Sequence, residues 1–335
     1  MISDTRPGLN ARRLVRLMTA AIERNELSLE GRTVLTEAAT GAYIVTPVLA
    51  AMAGADVYAL AAATSYASPA ELREATLELA ELAGVLDRIR IVGEKSAGVV
   101  GAADIVTNSG QVRPIDAAMV ARMKPFSVVP LMYESWEFRS SDVDLEACRA
   151  RNIAVAGTNE RHPAVDVFSF LGPMAVKQLH DAGIAVYGSR LVLLCDNAFA
   201  PFITEGLRNV GAEVSKARRL THEVLGEHCD AVLLARQPGA GRALSTAEVR
   251  VLSQRAPGAV LVQYWGDADR SALAAAGVPT WPERPPRVGH MGVLPSAVGP
   301  EPVIRLQAGG LKVGQLLACG LDRASATDRA LVQLL

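Results

Sequence analysis

Apolar and polar positions follow two different periods along this chain. Short runs of Val, Leu and Ala predict buried strands, and apolar residues three and four positions apart predict amphipathic helices. In the first half the predicted strands are 32–36, 56–61, 88–92, 103–107, 126–131 and 153–156, and the predicted helices are 43–54, 69–84, 114–123 and 144–151. Strands that alternate with helices predict a parallel sheet with helices on both faces.

The same alternation restarts at Arg190, after a long apolar helix predicted over 163–182. Further strands are predicted at 230–234 and 259–263, with helices at 246–255 and 271–277, and the final helix, 302–317, is expected to return to the first domain. We therefore predict an α/β protein with two doubly wound parallel-sheet domains, Rossmann-like or flavodoxin-like, that flank a cleft. Residues 1–161 plus 303–335 form the predicted flavodoxin-like substrate domain, and residues 162–302 form the predicted dinucleotide-binding-like Rossmann domain.

A leading amphipathic helix is predicted over 10–26, with Asn10 as its N-cap. Its apolar side chains lie at helical spacing, with arginines between them. Two interpretations stay open at this point: the helix packs on its own domain, or it packs on a neighbouring protomer, because homo-oligomers are common and a dimer is the usual form.

Composition narrows the class of protein. Half of the 335 residues are hydrophobic and 4% are aromatic, which is typical of a soluble α/β protein. The formal net charge is −1 without basic or acidic blocks, so we expect neither a nucleic-acid nor a membrane partner. The four cysteines lack CxxC spacing and no apolar signal core is found, so we expect a cytoplasmic protein with reduced thiols and no metal site.

The stretch 187–216 has the order of an opening βαβ unit, in which a pyrophosphate normally lies at the helix N-terminus. The usual glycine fingerprint is absent. Cys195, Asn197 and Ala200 stand where the three glycines of G-x-G-x-x-G are expected. A β-carbon at the first two positions crowds a phosphate, although Asn tolerates left-handed backbone better than most residues.

Two runs of sequence resemble the D-2-hydroxyacid dehydrogenases of the formate/glycerate dehydrogenase group. They are VDLEACRARNIAVAGTNERHPAVDVFSFLGPMAVKQL at 143–179, and HCDAVLLARQP with LSTAEVRVLSQRAPGAVLVQ between 228 and 263. The resemblance implies an NAD(P)-dependent oxidoreductase that acts on a small carboxylate or carbonyl compound. A small-molecule substrate and a homodimer are the partners that it implies.

The resemblance implies candidate catalytic residues, each matched to a position in the family's motifs. His290, in Val-Gly-His-Met-Gly, corresponds to the family's proton donor, and Glu283 to the acid that orients it. The family's carboxylate-binding arginine has no counterpart in the segment 263–267, so Arg236 or Arg139 is the expected replacement.

Cofactor contacts are expected from the loop after the first strand, from the basic residues after Val214, and from the strand near residue 263. These residues are Asn197, Ala198, Phe199, Ser215, Lys216, Arg218, Gln263 and Tyr264. Basic residues in place of the ribose-binding acid favour NADP over NAD. The alternative is a solvated basic turn without a ligand.

Substrate contacts are expected from the bulky, charged segment 130–142, because loops at the carboxyl ends of parallel strands bind ligands. Tyr133, Glu134 and Arg139 are the candidates there, and Asn108 follows another strand. Two further functions stay open. One is a non-redox ligand-binding relative or pseudoenzyme, and the other is a biosynthetic enzyme that uses another nucleotide or S-adenosylmethionine, for which Glu37, Thr40 and Gly41 give a weak motif.

Overall fold

The computed structural model describes residues 6–64, 67–238 and 244–335. Its strands are β1 (Thr33–Glu37), β2 (Asp56–Leu60), β3 (Ile89–Val92), β4 (Ile105–Val106), β5 (Val128–Pro130), β6 (Ala154–Thr158), β7 (Arg190–Leu194), β8 (Glu213–Ala217), β9 (Ala231–Ala235), β10 (Val260–Trp265), β11 (Thr280–Trp281) and β12 (Val332–Leu334). Its α-helices are α1 (Ala11–Arg24), α2 (Val45–Met52), α3 (Pro69–Leu82), α4 (Ala97–Ala102), α5 (Ala117–Val120), α6 (Leu145–Ala150), α7 (Leu171–Asp181), α8 (Ala200–Asn209), α9 (His222–Leu225), α10 (Thr246–Arg255), α11 (Arg270–Ala275), α12 (Glu301–Cys319) and α13 (Ala326–Leu331). Short 3₁₀ turns join several of these elements.

Two compact units make up the chain. Unit 1 comprises Met1–Val167 together with Gly299–Leu335, and unit 2 comprises Phe168–Val298. Each unit contains one sheet of mainly parallel strands, so the predicted fold class of two doubly wound α/β layers is confirmed. The functional division into a substrate domain and a cofactor domain stays a prediction.

The sheet of unit 1 has seven strands in the order β12-β6-β5-β4-β1-β2-β3, and only β12 runs antiparallel to its neighbour. Without β12, the order is 3-2-1-4-5-6, which is that of the classical dinucleotide-binding fold rather than of flavodoxin. This order depends on β3, which pairs with β2 and adds a third strand on that side of β1.

The sheet of unit 2 has five parallel strands in the order β11-β10-β9-β7-β8. Counted along the chain this is 2-1-3-4-5, the strand order of flavodoxin. After β8 the chain passes through the single turn of α9 and enters β9 on the other side of β7. No third strand is formed next to β8 within the described part of unit 2.

The leading helix α1 packs on its own unit. Asn10 is its N-cap, as predicted, and the Asn10 side chain accepts a hydrogen bond from the Arg13 backbone N–H at 3.0 Å. The buried side chains Leu14, Leu17 and Met18 lie in one core with residues of α2, α3 and α12. This decides between the two interpretations of α1 in favour of packing within the chain.

Helix α7 is shorter than the sequence indicates. The predicted helix covers 163–182, but α7 begins at Leu171, after a 3₁₀ turn at Phe168–Phe170. Asp166 has a left-handed backbone with a φ of 51°, and the N–H of Val167 donates to the Glu160 carbonyl rather than to a helical partner. The apolar residues before 168 are buried as a loop, which their hydrophobicity alone does not distinguish from a helix.

No helix among residues 6–64, 67–238 and 244–335 is both long and apolar enough to cross a membrane.

Helices α7 and α8 approach each other closely at Gly172 and Gly206. A β-carbon on Gly172 would lie 2.7 Å from Gly206 Cα and 3.0 Å from the Phe202 carbonyl oxygen. We expect Gly172→Ala to lower the free energy of unfolding by about 1–3 kcal/mol, because both obstructing atoms belong to backbone that cannot rotate away. Urea denaturation measures this loss.

A matched control is Gly98→Ala in α4, where an added β-carbon meets no atom within 4 Å. Since alanine favours the helix, this change should be neutral or raise stability by up to about 1 kcal/mol. Equal stabilities of the two variants would contradict the close packing of α7 on α8.

Candidate functional site

The carboxyl edge of the unit 2 sheet has its switch point between β7 and β9, where the chain leaves the sheet in opposite directions. The Asn197 side chain crosses this point. Its Nδ2 donates to the Ala235 carbonyl at the end of β9 at 2.8 Å, and its Oδ1 accepts from the Phe199 backbone N–H at 3.0 Å. Next to it, Asp196 Oδ1 accepts from the Gln237 backbone N–H at 3.0 Å. We call this pair of side chains the Asp196–Asn197 bridge.

The bridge takes the place in which a dinucleotide pyrophosphate lies in this type of fold. The Phe199 N–H, one of the amides that would face a phosphate, is already bonded to Asn197. The Asp196 carboxylate adds negative charge at the same edge. In the conformation described, the residues after β7 therefore do not fit a dinucleotide phosphate.

Other expected cofactor residues are placed differently from the sequence interpretation. Ser215 and Lys216 lie inside β8, opposite Val192 and Leu193, and the strand continues to Ala217. Ser215 lines a groove of about 190 Å³ with residues that include Arg190 and His228. Arg218 is exposed one residue beyond the strand.

Phe199 and Tyr264 belong to the core of unit 2. The Phe199 ring packs edge-on against Phe168, with 5.3 Å between centroids, and in a tilted arrangement against Trp265, with 4.9 Å between centroids. Tyr264 is fully buried, donates its hydroxyl to the Leu171 carbonyl at 3.0 Å, and has its pKa raised well above the usual value by burial. Neither side chain is presented to a ligand, whereas Ala198 is exposed.

His290 lies on a loop that is attached to the end of β10. The Gly289 N–H donates to Asp267 Oδ1 at 3.1 Å, and the Gly289 carbonyl accepts from Trp265 Nε1 at 3.3 Å. The Gly292 N–H donates to the Tyr264 carbonyl at 2.8 Å. Any side chain at Gly292 would collide with the Gln263 carbonyl, so the second residue after His290 must be glycine for this docking. His290 is thus held at the carboxyl edge of the sheet.

Arg270, the first residue of α11, is the residue that the sequence interpretation missed. Its Nε and one Nη donate to Gln263 Oε1 at 3.0 and 2.7 Å. It is partly buried, and burial lowers its pKa. Within the described residues no carboxylate lies within 4 Å of it, so its charge is compensated only by an amide oxygen. The sequence feature that could have pointed to Arg270 is its position, five residues after the end of β10.

Gln263 links Arg270 to the end of β10, where the His290 loop is attached. Its side-chain Oε1 accepts from Arg270, its Nε2 donates to the Gly266 carbonyl at 2.7 Å, and its own carbonyl accepts from Gln178 at 3.0 Å. In the structure its side-chain oxygen orients Arg270, and its predicted contact with a cofactor stays a prediction. Glu283 is exposed, and no hydrogen bond joins it to His290 within the part of the chain that the structure describes. Its role as the orienting acid stays a prediction.

Arg236 is engaged in a buried ion pair with Glu248. The shortest N–O distance is 2.5 Å, and the two side chains are 11% and 7% exposed. Glu248 also closes the capping box of α10 with Ser245 and accepts from the Leu220 N–H. Burial opposes its ionisation, but the hydrogen bond from Arg236 and two backbone N–H groups outweigh burial and lower the pKa of Glu248 to about 2. Arg236 would have to leave this partner to bind a substrate carboxylate.

In unit 1, the expected substrate residues Asn108 and Tyr133 lie in one hydrogen-bonded region. Asn108 Oδ1 accepts from the Met132 N–H at 2.8 Å, and its buried Nδ2 has no partner among the described residues. The Tyr133 hydroxyl donates to Asp142 at 3.0 Å, and Arg113 donates to the same carboxylate oxygen at 2.9 Å. Burial and the Asp142 charge raise the pKa of Tyr133. The unpartnered Asn108 amide is a candidate ligand contact.

Glu134 and Arg139 have different surroundings. Glu134 is 1% exposed and accepts hydrogen bonds from Trp136 Nε1 and, at 3.2 Å, from the Glu160 N–H, so it organises the turn. Burial raises the pKa of Glu137 to about 7 and that of Glu160 well above its usual value, and the neighbouring carboxylates add to both shifts. Arg139 is exposed. Across residues 6–64, 67–238 and 244–335, no group of three or more His, Cys, Asp or Glu side chains could hold a metal ion.

Glu37, at the end of β1, is the acid of the weak S-adenosylmethionine motif. Its Oε2 accepts from the Gln111 N–H at 2.9 Å, and Gly110 packs directly on the carboxylate. Burial raises the pKa of Glu37. The loop after β4 therefore covers this carboxylate, as the Asp196–Asn197 bridge covers the corresponding point in unit 2.

Comparison with known proteins gives structural matches only. No protein-family model matches the chain, and no curated protein matches it in sequence. Among solved structures, a dipicolinate synthase component from Bacillus halodurans matches at 11% identity with a TM-score of 0.56, over 87% of this chain and 99% of that protein. The corresponding dipicolinate synthase chain from Bacillus subtilis matches at 11% identity and a TM-score of 0.57, over 88% and 98%.

The NAD-dependent formate dehydrogenase from Staphylococcus aureus, solved with NAD, matches at 12% identity and a TM-score of 0.50, over 85% of this chain and 94% of that protein. This chain shares their fold. The resemblance to D-2-hydroxyacid dehydrogenases is therefore confirmed at the level of the fold.

The Arg236–Glu248 pair predicts a pH-dependent stability. Because the pKa of Glu248 is lowered on folding, its contribution is complete above the unfolded pKa near 4.5 and is lost as the pH falls towards about 2. We expect Glu248→Gln to cost about 1–3 kcal/mol at pH 7, and we expect the difference from wild type to shrink as the pH falls from about 4.5 towards 2. Denaturant unfolding between pH 7 and pH 2.5 measures both effects.

The control is Glu205→Gln in α8, whose carboxylate lies at the surface. Its stability difference from wild type should not change over the same pH range. A constant difference for Glu248→Gln would show that the buried pair does not hold Glu248 ionised.

Proposed function

We propose that this chain is an enzyme of the dehydrogenase fold that acts on a small carboxylate compound at the carboxyl edge of unit 2. Arg270 binds the substrate carboxylate, and His290 exchanges a proton with the reacting group. The observation that carries the proposal is Arg270, a partly buried guanidinium with no carboxylate partner among the described residues.

The chemistry of Arg270 supports this role. Burial of a guanidinium without a counter-ion is unfavourable, and a bound carboxylate would restore the missing charge and accept two hydrogen bonds. Gln263 Oε1 holds one edge of the guanidinium, and the remaining Nη takes part in no hydrogen bond to protein within the described residues. The fork is thus oriented before a ligand arrives, which lowers the entropy lost on binding.

His290 supports the proton-transfer role through its position. The hydrogen bonds of Gly289 and Gly292 fix its loop to the same 263–267 segment that orients Arg270. Histidine is the side chain whose charge changes most readily near neutral pH, so it suits general acid–base catalysis. Glu283 remains the candidate for orienting it.

The first candidate reaction is the NAD(P)-dependent reduction or oxidation of a 2-oxo or 2-hydroxy acid. The shared fold, the name of the Staphylococcus aureus neighbour and the position of His290 support it. NAD or NADP would supply the hydride acceptor or donor. The Asp196–Asn197 bridge opposes it, because the residues after β7 do not fit a pyrophosphate as they stand.

The second candidate is a non-redox relative that binds or isomerises a small carboxylate on the same fold. The bridge is the observation that favours it, since Arg270 and His290 act on a carboxylate without a cofactor. A small-molecule substrate, a homodimer and a cytoplasmic location complete the proposal. They are supported by the near-neutral net charge, the prevalence of dimers and the scattered cysteines, respectively.

Calorimetric titration with pyruvate, glyoxylate and lactate, and with the corresponding amides, tests the carboxylate site. We expect Arg270→Ala to weaken carboxylate binding about 10- to 100-fold, because a hydrogen-bonded charge pair contributes about 1.5–3 kcal/mol. Arg270→Lys should recover part of the affinity, and the amides should bind weakly to every variant. His290→Asn should retain binding and lose turnover.

Arg250→Ala, at an exposed position of α10, is the matched control for loss of an arginine. It should bind carboxylates as wild type does. Unchanged affinity in Arg270→Ala would rule out Arg270 as the carboxylate-binding residue, whatever cofactor the protein uses.

A further inference from the structure

We infer that unit 2 does not bind a dinucleotide at its switch point, because the Asp196–Asn197 bridge replaces the pyrophosphate with the protein's own side chains. The inference goes beyond the proposed function, since carboxylate binding by Arg270 does not depend on it. Three independent features of unit 2 lead to it: the use of the helix amides, the charge at the loop, and the strand order.

The amides of Phe199 and Ala200 at the start of α8 are already used, and Pro201 has none. Phosphates bind at a helix N-terminus because the first N–H groups there have no partner within the helix. Here the Phe199 N–H donates to Asn197 Oδ1 at 3.0 Å, and the Ala200 N–H donates to the Asn197 carbonyl at 3.3 Å. The next residue, Pro201, has no N–H. Three successive positions thus offer no free donor to a phosphate.

The loop is also held across the switch point, where a ligand would have to enter. Asn197 Nδ2 is bonded to the Ala235 carbonyl and Asp196 Oδ1 to the Gln237 N–H, so β7 and the end of β9 are joined by two side chains. A pyrophosphate would have to break both contacts and approach the Asp196 carboxylate. Because like charges repel each other at short range, binding would cost both the loss of the bridge and this repulsion.

The strand order of unit 2 also differs from that of a complete dinucleotide site. In the 3-2-1-4-5-6 order, a dinucleotide lies across two βαβαβ halves, with three strands on the first side of the switch point. Among its described residues, unit 2 has only β7 and β8 on that side, and β8 is an edge strand with Ser215 and Lys216 inside it. No acidic residue follows β8 to bond a ribose, because Arg218 and Arg219 stand after Ala217. The first half of the usual site is therefore incomplete.

Titration of the full-length protein with NADH, NADPH and ADP-ribose tests the inference. ADP-ribose carries the pyrophosphate without the nicotinamide, so it reports on the phosphate site alone. We expect no saturable binding of any of the three to wild type up to about 1 mM, by calorimetry and by thermal shift. The double variant Asp196→Gly/Asn197→Gly should gain at least about tenfold in affinity for all three, because it frees the Phe199 N–H and removes the charge.

Two further variants keep the test decisive. Asp196→Asn removes the charge and preserves the size of the side chain, so it should fold as wild type and gain a smaller part of the affinity. Asn209→Gly, at the exposed end of α8, is a control for the loosening of the helix by glycine and should gain nothing. Circular dichroism establishes that each variant is folded.

Each result has one meaning. Saturable binding of NADH, NADPH or ADP-ribose to wild type at micromolar concentrations would overturn the inference. Absence of any gain in the folded bridge variants would overturn it as well, since the bridge would not be what excludes the ligand. A gain in those variants with no binding to wild type supports it. The proposed function is judged separately, by carboxylate titrations of the Arg270 variants without nucleotide.

Discussion

The hydrogen bond from Asn197 Nδ2 to the Ala235 carbonyl joins the two strands that diverge at the switch point of unit 2. In a doubly wound sheet this point is open, because the chain leaves neighbouring strands towards opposite faces, and that opening is where nucleotides bind. A single amide side chain here satisfies a strand carbonyl on one side and a helix N–H on the other. The polar groups that usually await a ligand are thereby satisfied within the protein.

The end of β10 is also organised by side-chain hydrogen bonds, but there they orient a charged side chain. Gln263 orients Arg270 with its side chain, and the neighbouring residues Tyr264, Trp265 and Asp267 hold the His290 loop through three hydrogen bonds. These contacts leave Arg270 without a carboxylate partner within the described residues. Polar groups are therefore satisfied internally at the β7 edge, whereas at the β10 edge a positive charge is oriented by an amide oxygen, and we propose that it binds a substrate carboxylate.

Much of the fold could be predicted from the sequence, because strands and helices in an α/β protein are encoded locally. The Asn10 cap, the apolar stripe of α1 and the missing glycines after β7 were all visible in the sequence. The residues of the candidate site were harder to predict from the sequence. Arg270 was missed because the family resemblance places the arginine within residues 263–267, and the end of β8 at Ala217 was hard to predict because no Gly or Pro follows it directly.

By itself, the sequence determined the class of fold, the alternation of its elements and the absence of a glycine fingerprint, since each depends on residues close together in the chain. Only the tertiary structure decided the strand orders of the two units, the capture of Arg236 by Glu248, and the bridge from Asn197 to Ala235. These depend on partners 12 and 38 residues apart, or on which edge of a sheet a strand joins. No local pattern encodes that choice, because it is made by packing and by the satisfaction of buried polar groups.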